Sequence, residues 1–123
     1  MMNKTFVETR VFTARLKGRL TDEAVRALQA ELMAQPHKGR VIPGCGGLRK
    51  IRIGAEARGK GKRGGARVIY LNIPEAERID LITVYGKDEK DDLSPAEKKV
   101  LRRLVDELRA EATAAFRRKS GRL

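Results

Sequence analysis

The sequence predicts an α+β fold: a mainly antiparallel sheet of about four strands, with two helices before it and one after it. Three observations carry that expectation. The β-prone runs Leu48–Ile53, Ala66–Ile73 and Arg78–Tyr85 follow one another through short connections, which makes them antiparallel neighbours in a meander. Ahead of them, Val25, Leu28 and Leu32 recur at helical spacing. Behind them, Ser94-Pro95-Ala96-Glu97 is a capping box with proline at the first helical position.

Taken in order, Thr5–Glu8 is β-branched and aromatic, a first strand placed at an edge or beside the last strand. A short helix follows from Arg10 to Lys17 with Val11, Ala14 and Leu16 as anchors, and Gly18 ends it. Thr21 caps the next helix, with Asp22 and Glu23 in the first turn where the helix dipole favours acids. Pro36 and Gly39 stop it. Arg40–Gly47 is turn chemistry around a small apolar plug, Val41-Ile42.

In Leu48–Ile53, alternation sends Lys50 and Arg52 to one face and Ile51 and Ile53 to the other. Pro74–Glu77 makes a turn. Strict alternation in Arg78–Tyr85 then places Ile79, Leu81, Thr83 and Tyr85 on one face, with Ile82 and Val84 opposite. Gly86–Asp92 is a charged loop. Its acids, Asp88, Glu89, Asp91 and Asp92, precede a helix start, which accounts for them better than a metal site does. The last helix carries Val100, Leu101, Leu104, Val105, Leu108, Ala112 and Ala115 on its core stripe to about Arg117, leaving 117–123 as a flexible basic tail. The chain reads as one domain, 1–123.

Charge sets the class of partner. The formal net charge is +12, and eight basic residues against the single acid Glu56 fall between Leu48 and Asn72. A hairpin with one buried face would present this charge to a polyanion, for which a phosphate backbone is the default. Apolar residues make up 41% but aromatics only 4%, so the core must be built from Leu, Ile, Val and Ala. The N-terminus lacks the apolar run of a signal peptide, no segment has the ~20 apolar residues of a membrane span, and one cysteine suits a reducing compartment. The expected location is cytoplasmic, without membrane association. Cys45 and His37 lack an orienting third group, so they are not read as a catalytic pair. A DNA-binding helix-turn-helix is disfavoured, because Ala24–Leu32 carries little positive charge.

Several motifs in register resemble the RelE superfamily of bacterial toxin–antitoxin toxins, in particular its HigB-type branch. They are Ile42-Pro43-Gly44 followed by Gly46-Gly47-Leu48-Arg49-Lys50-Ile51-Arg52, then Gly61-Lys62-Arg63-Gly64-Gly65-Ala66-Arg67-Val68-Ile69-Tyr70, then Val84-Tyr85-Gly86-Lys87 and Lys90-Asp91-Asp92-Leu93. The resemblance covers roughly residues 6 to 110. It implies a metal-independent, cofactor-free endoribonuclease that cuts mRNA on the 70S ribosome and is neutralised by an antitoxin, commonly a helix-turn-helix protein. Carried over by motif, Lys50 and Arg52 match the basic strand pair, Arg67 the basic residue opening the next strand, and Lys87 the basic residue after the last strand. Tyr85 and Tyr70 are looser additions. The alternative is a non-catalytic basic protein that blocks translation by occupying the ribosome.

The chemistry needed is proton removal from a 2′-OH, stabilisation of a charged phosphorane, and protonation of the leaving 5′-oxygen. Arg52 and Arg67 suit the second task, since a guanidinium fork grips phosphate oxygens bidentately. Lys50, crowded by Arg49 and Arg52, is the expected base, and Lys87 or Tyr85 the expected acid. Arg49, Arg58, Lys60, Lys62 and Arg63 are expected to make sequence-blind RNA contacts that position the complex.

Overall fold

Residues 4–54 and 65–121 are described by the computed structural model. The elements are β1 (Thr5–Glu8), α1 (Arg10–Leu16), α2 (Asp22–Ala34), β2 (Arg40–Val41), β3 (Arg49–Ile53), β4 (Ala66–Ile73), a 3-10 turn (Pro74–Ala76), β5 (Arg78–Gly86) and α3 (Pro95–Ser120). The strands form one sheet in the order β1-β5-β4-β3-β2. All pairings are antiparallel except β1 with β5, where Thr5 pairs with Arg78 and Glu8 with Leu81. The fifth strand is β2: Arg40 and Val41 pair with Lys50 and Arg49, where the sequence reads as a turn.

Local chemistry sets the helix starts. The Thr9 hydroxyl accepts from the Phe12 amide and the Thr21 hydroxyl from the Ala24 amide, each at 3.1 Å. At α3 the box is reciprocal: Ser94 Oγ accepts from the Glu97 amide at 3.1 Å, and Glu97 Oε1 from the Ser94 amide at 2.8 Å.

Each sheet face carries its own core. On one side α1 and α2 bury Phe12, Leu28 and Leu32 against Ile51, Val68 and Leu81. On the other, α3 buries Val105 and Ala112 against Leu48, Ile69, Leu71 and Ile82. β4 is central and covered on both faces, so all eight of its residues are buried. The α1 anchor is Phe12, fully buried, whereas Val11 is 54% exposed and Ala14 is exposed. The Thr9 cap fixes the phase of this short helix and turns Phe12, not Val11, toward the sheet. Truncating a residue such as Leu32 to alanine costs about 2–5 kcal/mol.

A bulge in β5 changes which side chains share a face. Ile69 pairs with Thr83 but Tyr70 with Leu81, so Ile82 is an extra residue. Strict alternation therefore fails. Ile79, Leu81 and Val84 face α1 and α2, while Ile82 and Tyr85 face α3. A one-residue slip reverses every side chain beyond it, and here it carries Tyr85 across the sheet. The bulge carbonyl is satisfied by α1: Thr9 Oγ1 donates to the Ile82 carbonyl at 2.7 Å, and Arg15 Nε to the Val84 carbonyl at 2.8 Å.

A buried ion pair ties α3 to β5. Asp80 is fully buried and takes two bonds from Arg78, at 2.6 and 3.0 Å, while Arg78 also reaches Glu111 of α3 at 2.8 Å. The Asp80 and Glu111 carboxylates hold the Arg78 guanidinium firmly charged, overcoming the cost of burial. Among the described residues no helix is long and apolar enough to cross a membrane.

Candidate active site

Lys50 and Arg52 lie on the α3-side face of β3, with Ile51 between them turned to the other core. Arg52 pairs directly with Arg67 across β3 and β4, and Arg67 pairs with Tyr85 across β4 and β5. Directly opposed residues share a face. Arg52, Arg67 and Tyr85 thus form one row across three strands, and Lys50 lies two residues along β3 from it. Lys87 lies just past β5, exposed, with its amide donating to the Gly65 carbonyl at 3.1 Å.

The loop after β5 folds back over this row. Asp92 forms an ion pair with Lys50, and Asp91 with Arg67 at 3.2 Å. The Asp91 carbonyl also accepts from Lys50 Nζ and from the Tyr85 hydroxyl, both at 3.4 Å. Two successive residues of one loop thus engage Lys50, Arg67 and Tyr85. The Asp91 and Asp92 side chains are 65% and 72% exposed, while those of Arg67 and Lys50 are 6% and 12% exposed. A buried Arg67 and a half-buried Lys50 met by exposed carboxylates can exchange those partners for phosphate oxygens without unpacking the core.

The loop acids are therefore more than helix-start charges. Glu89 accepts from Arg19 at 2.6 and 2.9 Å, from Arg15 at 2.8 Å and from the Gly86 amide at 2.8 Å. The Arg19 guanidinium foremost holds its carboxyl down to about 2. Glu89 is the hinge by which the loop is fastened to α1. Lys50 foremost holds the Asp92 carboxyl below its ordinary range, with smaller help from Lys98 and Arg52.

Burial first, then the Asp92 carboxylate, pushes the Tyr85 phenol up to about 12, against an opposing pull from Arg67. Lys90 Nζ lies 5.0 Å from the Tyr85 ring centre, a cation over the ring face. At neutral pH Tyr85 is thus a proton donor rather than an acceptor.

Two other residues have structural tasks. Arg49 faces the opposite side from Lys50: its Nη1 donates to the His37 and Gly39 carbonyls at 3.1 and 2.8 Å, fastening the segment after α2. Tyr70 is fully buried, its hydroxyl accepting from the Gly39 amide and donating to the Pro36 carbonyl, each at 2.9 Å. A Cβ on Gly39 would meet the Tyr70 ring at 2.7 Å, so glycine is required there. Cys45 is buried and His37 exposed. Arg58, Lys60, Lys62 and Arg63 lie outside the described residues.

The sequence matches no protein-family profile. Among solved structures, the chain is similar to the E. coli toxin RelE, determined in the free state as a mutant with two arginines replaced by alanine. The TM-score is 0.51 at 17% identity, over 72% of this chain and 88% of that one. The fold is RelE-like. On this RelE-like scaffold a groove of about 980 Å³ runs between α1, β5 and α3 and is lined chiefly by apolar residues such as Val11, Ile82 and Leu104. The row of cations lies elsewhere, beside a groove of about 410 Å³ that includes Lys50, Tyr85 and Asp92. Charge and hydrogen-bond donors converge on the second groove, which makes it the candidate site for a phosphate group. The residues that sequence reasoning missed are Asp91 and Asp92 as partners of the basic row. Their sequence signals are the Lys90-Asp91-Asp92-Leu93 motif and two adjacent acids a short way beyond a strongly basic hairpin.

Proposed function

We propose that this protein is the toxin of a bacterial toxin–antitoxin pair, of the HigB-type branch, and cuts mRNA on the 70S ribosome without a metal ion. The observation that carries the proposal is the row Arg52, Arg67 and Tyr85 with Lys50 beside it, gathered from three strands on a RelE-like fold. The message displaces Asp91 and Asp92, and its scissile phosphate takes their place. Lys50, acting as the neutral amine once Asp92 is displaced, takes the proton of the 2′-OH and becomes the ammonium, and the resulting oxygen attacks the adjacent phosphorus. Arg52 and Arg67 stabilise the phosphorane. The P–O5′ bond breaks, the 5′-oxygen takes a proton from Tyr85 or Lys87, and a 2′,3′-cyclic phosphate remains. An antitoxin, helix-turn-helix in type, restrains the activity; the +12 charge of the chain supports an acidic shielding segment.

Primer extension on a reporter mRNA in a reconstituted translation reaction tests this, comparing wild type with Arg67→Ala, with and without ribosomes. Cuts that require ribosomes and disappear in the variant are expected. Arrested translation with uncut message would instead make the protein a ribosome blocker and remove the catalytic roles.

A further inference from the structure

The exposed side of α3 continues the basic row away from the site. Beside the 410 Å³ groove lies a second of about 510 Å³, and the two share Pro43 and Lys98. Lys98 and Arg102 are one turn apart on α3, as are Lys99 and Arg103, a spacing of about 5–6 Å along the helix. All four line the second groove, and among the described residues no acid lines it. Arg40 and Lys50 line the first from the opposite wall, with Asp92 as its acid. The nearest α3 acids are already engaged: Glu97 with Lys90 and the Ser94 amide, and Asp106 with Arg102 at 2.9 Å.

The Gly44–Gly47 turn fixes this geometry. Gly46 and Gly47 have φ of +67° and +104°, and a Cβ there would meet the Arg102 guanidinium at 2.9 Å or that of Arg109 at 2.6 Å. Arg109 Nη2 donates to the Gly46 carbonyl at 3.0 Å. The turn therefore lies close beneath α3 and keeps Pro43 and Gly44 facing the lysines.

We infer that Lys98, Lys99, Arg102 and Arg103, with Arg40 lining the adjoining groove beside Lys98, form a track that carries the backbone of single-stranded RNA away from the scissile phosphate. It rests on the RNA-cleaving reading of the adjacent site. The chemistry of the track favours RNA over an acidic peptide. An amphipathic peptide needs a broad apolar floor, and among the described residues a broader one lies in the groove between α1, β5 and α3. A file of four cations over the small floor of Pro43, Gly44 and Pro95, with no acid lining it among the described residues, suits a phosphate backbone.

The test is fluorescence anisotropy with a labelled single-stranded 2′-O-methyl RNA, which cannot be cut, across a salt series. Wild type is compared with Lys98→Gln/Lys99→Gln/Arg103→Gln, after thermal melts show both folded. The expected result is at least ten-fold weaker binding at low salt. The slope of log K against log salt should shrink by about 0.7 for each phosphate no longer neutralised, about 2 in all. Unchanged affinity and slope would overturn the track, as would a variant that keeps RNA binding but no longer binds polyglutamate. The primer-extension assay separates the two readings. Cut message with an unchanged slope removes the track alone, and uncut message with a reduced slope removes the nuclease alone.

Discussion

Arg67 and Tyr85 stand directly opposite each other across β4 and β5, and they share the α3-side face because Ile82 is an extra residue in β5. Without the bulge, Tyr85 would fall in line with Ile79 and Leu81 and point into the core beneath α1 and α2. The site thus depends on one residue of register, and that register is held by α1 through Thr9 and Arg15.

Thr9→Val should therefore cost more than a simple helix cap. It removes the bond to the Phe12 amide and leaves the Ile82 carbonyl unmet. The expected loss is about 2–4 kcal/mol by urea denaturation, from a lost cap and an unsatisfied buried carbonyl. Thr9→Ser should keep most of the stability. Equal losses in both variants would deny the hydroxyl its role.

Asp91→Asn/Asp92→Asn removes two carboxylates from the cations that the phosphates are proposed to occupy. Binding to single-stranded RNA should tighten roughly ten-fold at low salt, and by less as added salt screens the exposed acids. Weaker binding would mean that the acids organise the site rather than fill it.

Burial first, and then the Asp92 carboxylate, push the Tyr85 phenol up to about 12. Its neutral form is thus retained throughout the working range, and Tyr85→Phe should lower the cleavage rate by about 10²–10⁴ if the phenol is the acid. The shape of the pH profile between about pH 6 and 9 should not change. An alkaline fall in that window that disappears in Tyr85→Phe would contradict the placement of this phenol.

Glu89, held down to about 2 by Arg19 and its other partners, gives a pH-dependent contribution to stability. A carboxyl lowered on folding stabilises above its ordinary value, and the contribution fades as pH falls from about 4.5 toward about 2. Glu89→Gln should lose about 1–2 kcal/mol at pH 7, reduced from the full linkage value because the group is partly exposed and screened. In denaturation curves the gap between wild type and variant should close below about pH 3. A constant gap down to that pH would show that packing, not charge, carries the effect.

The local features are legible in the chain read alone. Thr21 and Ser94–Glu97 start their helices because hydroxyls and a carboxylate satisfy orphan amides, and Lys50 and Arg52 share a face because a strand has period two. The α+β class and the antiparallel run β3-β4-β5 follow from the same periodicities. Apart from the phase of α1, which the Thr9 cap sets locally, the features that had to wait for the fold involve a partner in another segment. An extra residue in β5 is defined only by counting against β4, so the faces of Ile82 and Tyr85 could not be read from β5 alone. Asp91 and Asp92 resemble helix-start acids until the fold brings them to Arg67 and Lys50, and Arg49 resembles its basic neighbours until Gly39 reaches it. The basic side of α3 became legible only when the Gly44–Gly47 turn packed beneath it. Periodicity and capping act within a few residues, whereas register, ion pairing and grooves are set by contacts between segments, which a linear reading does not contain.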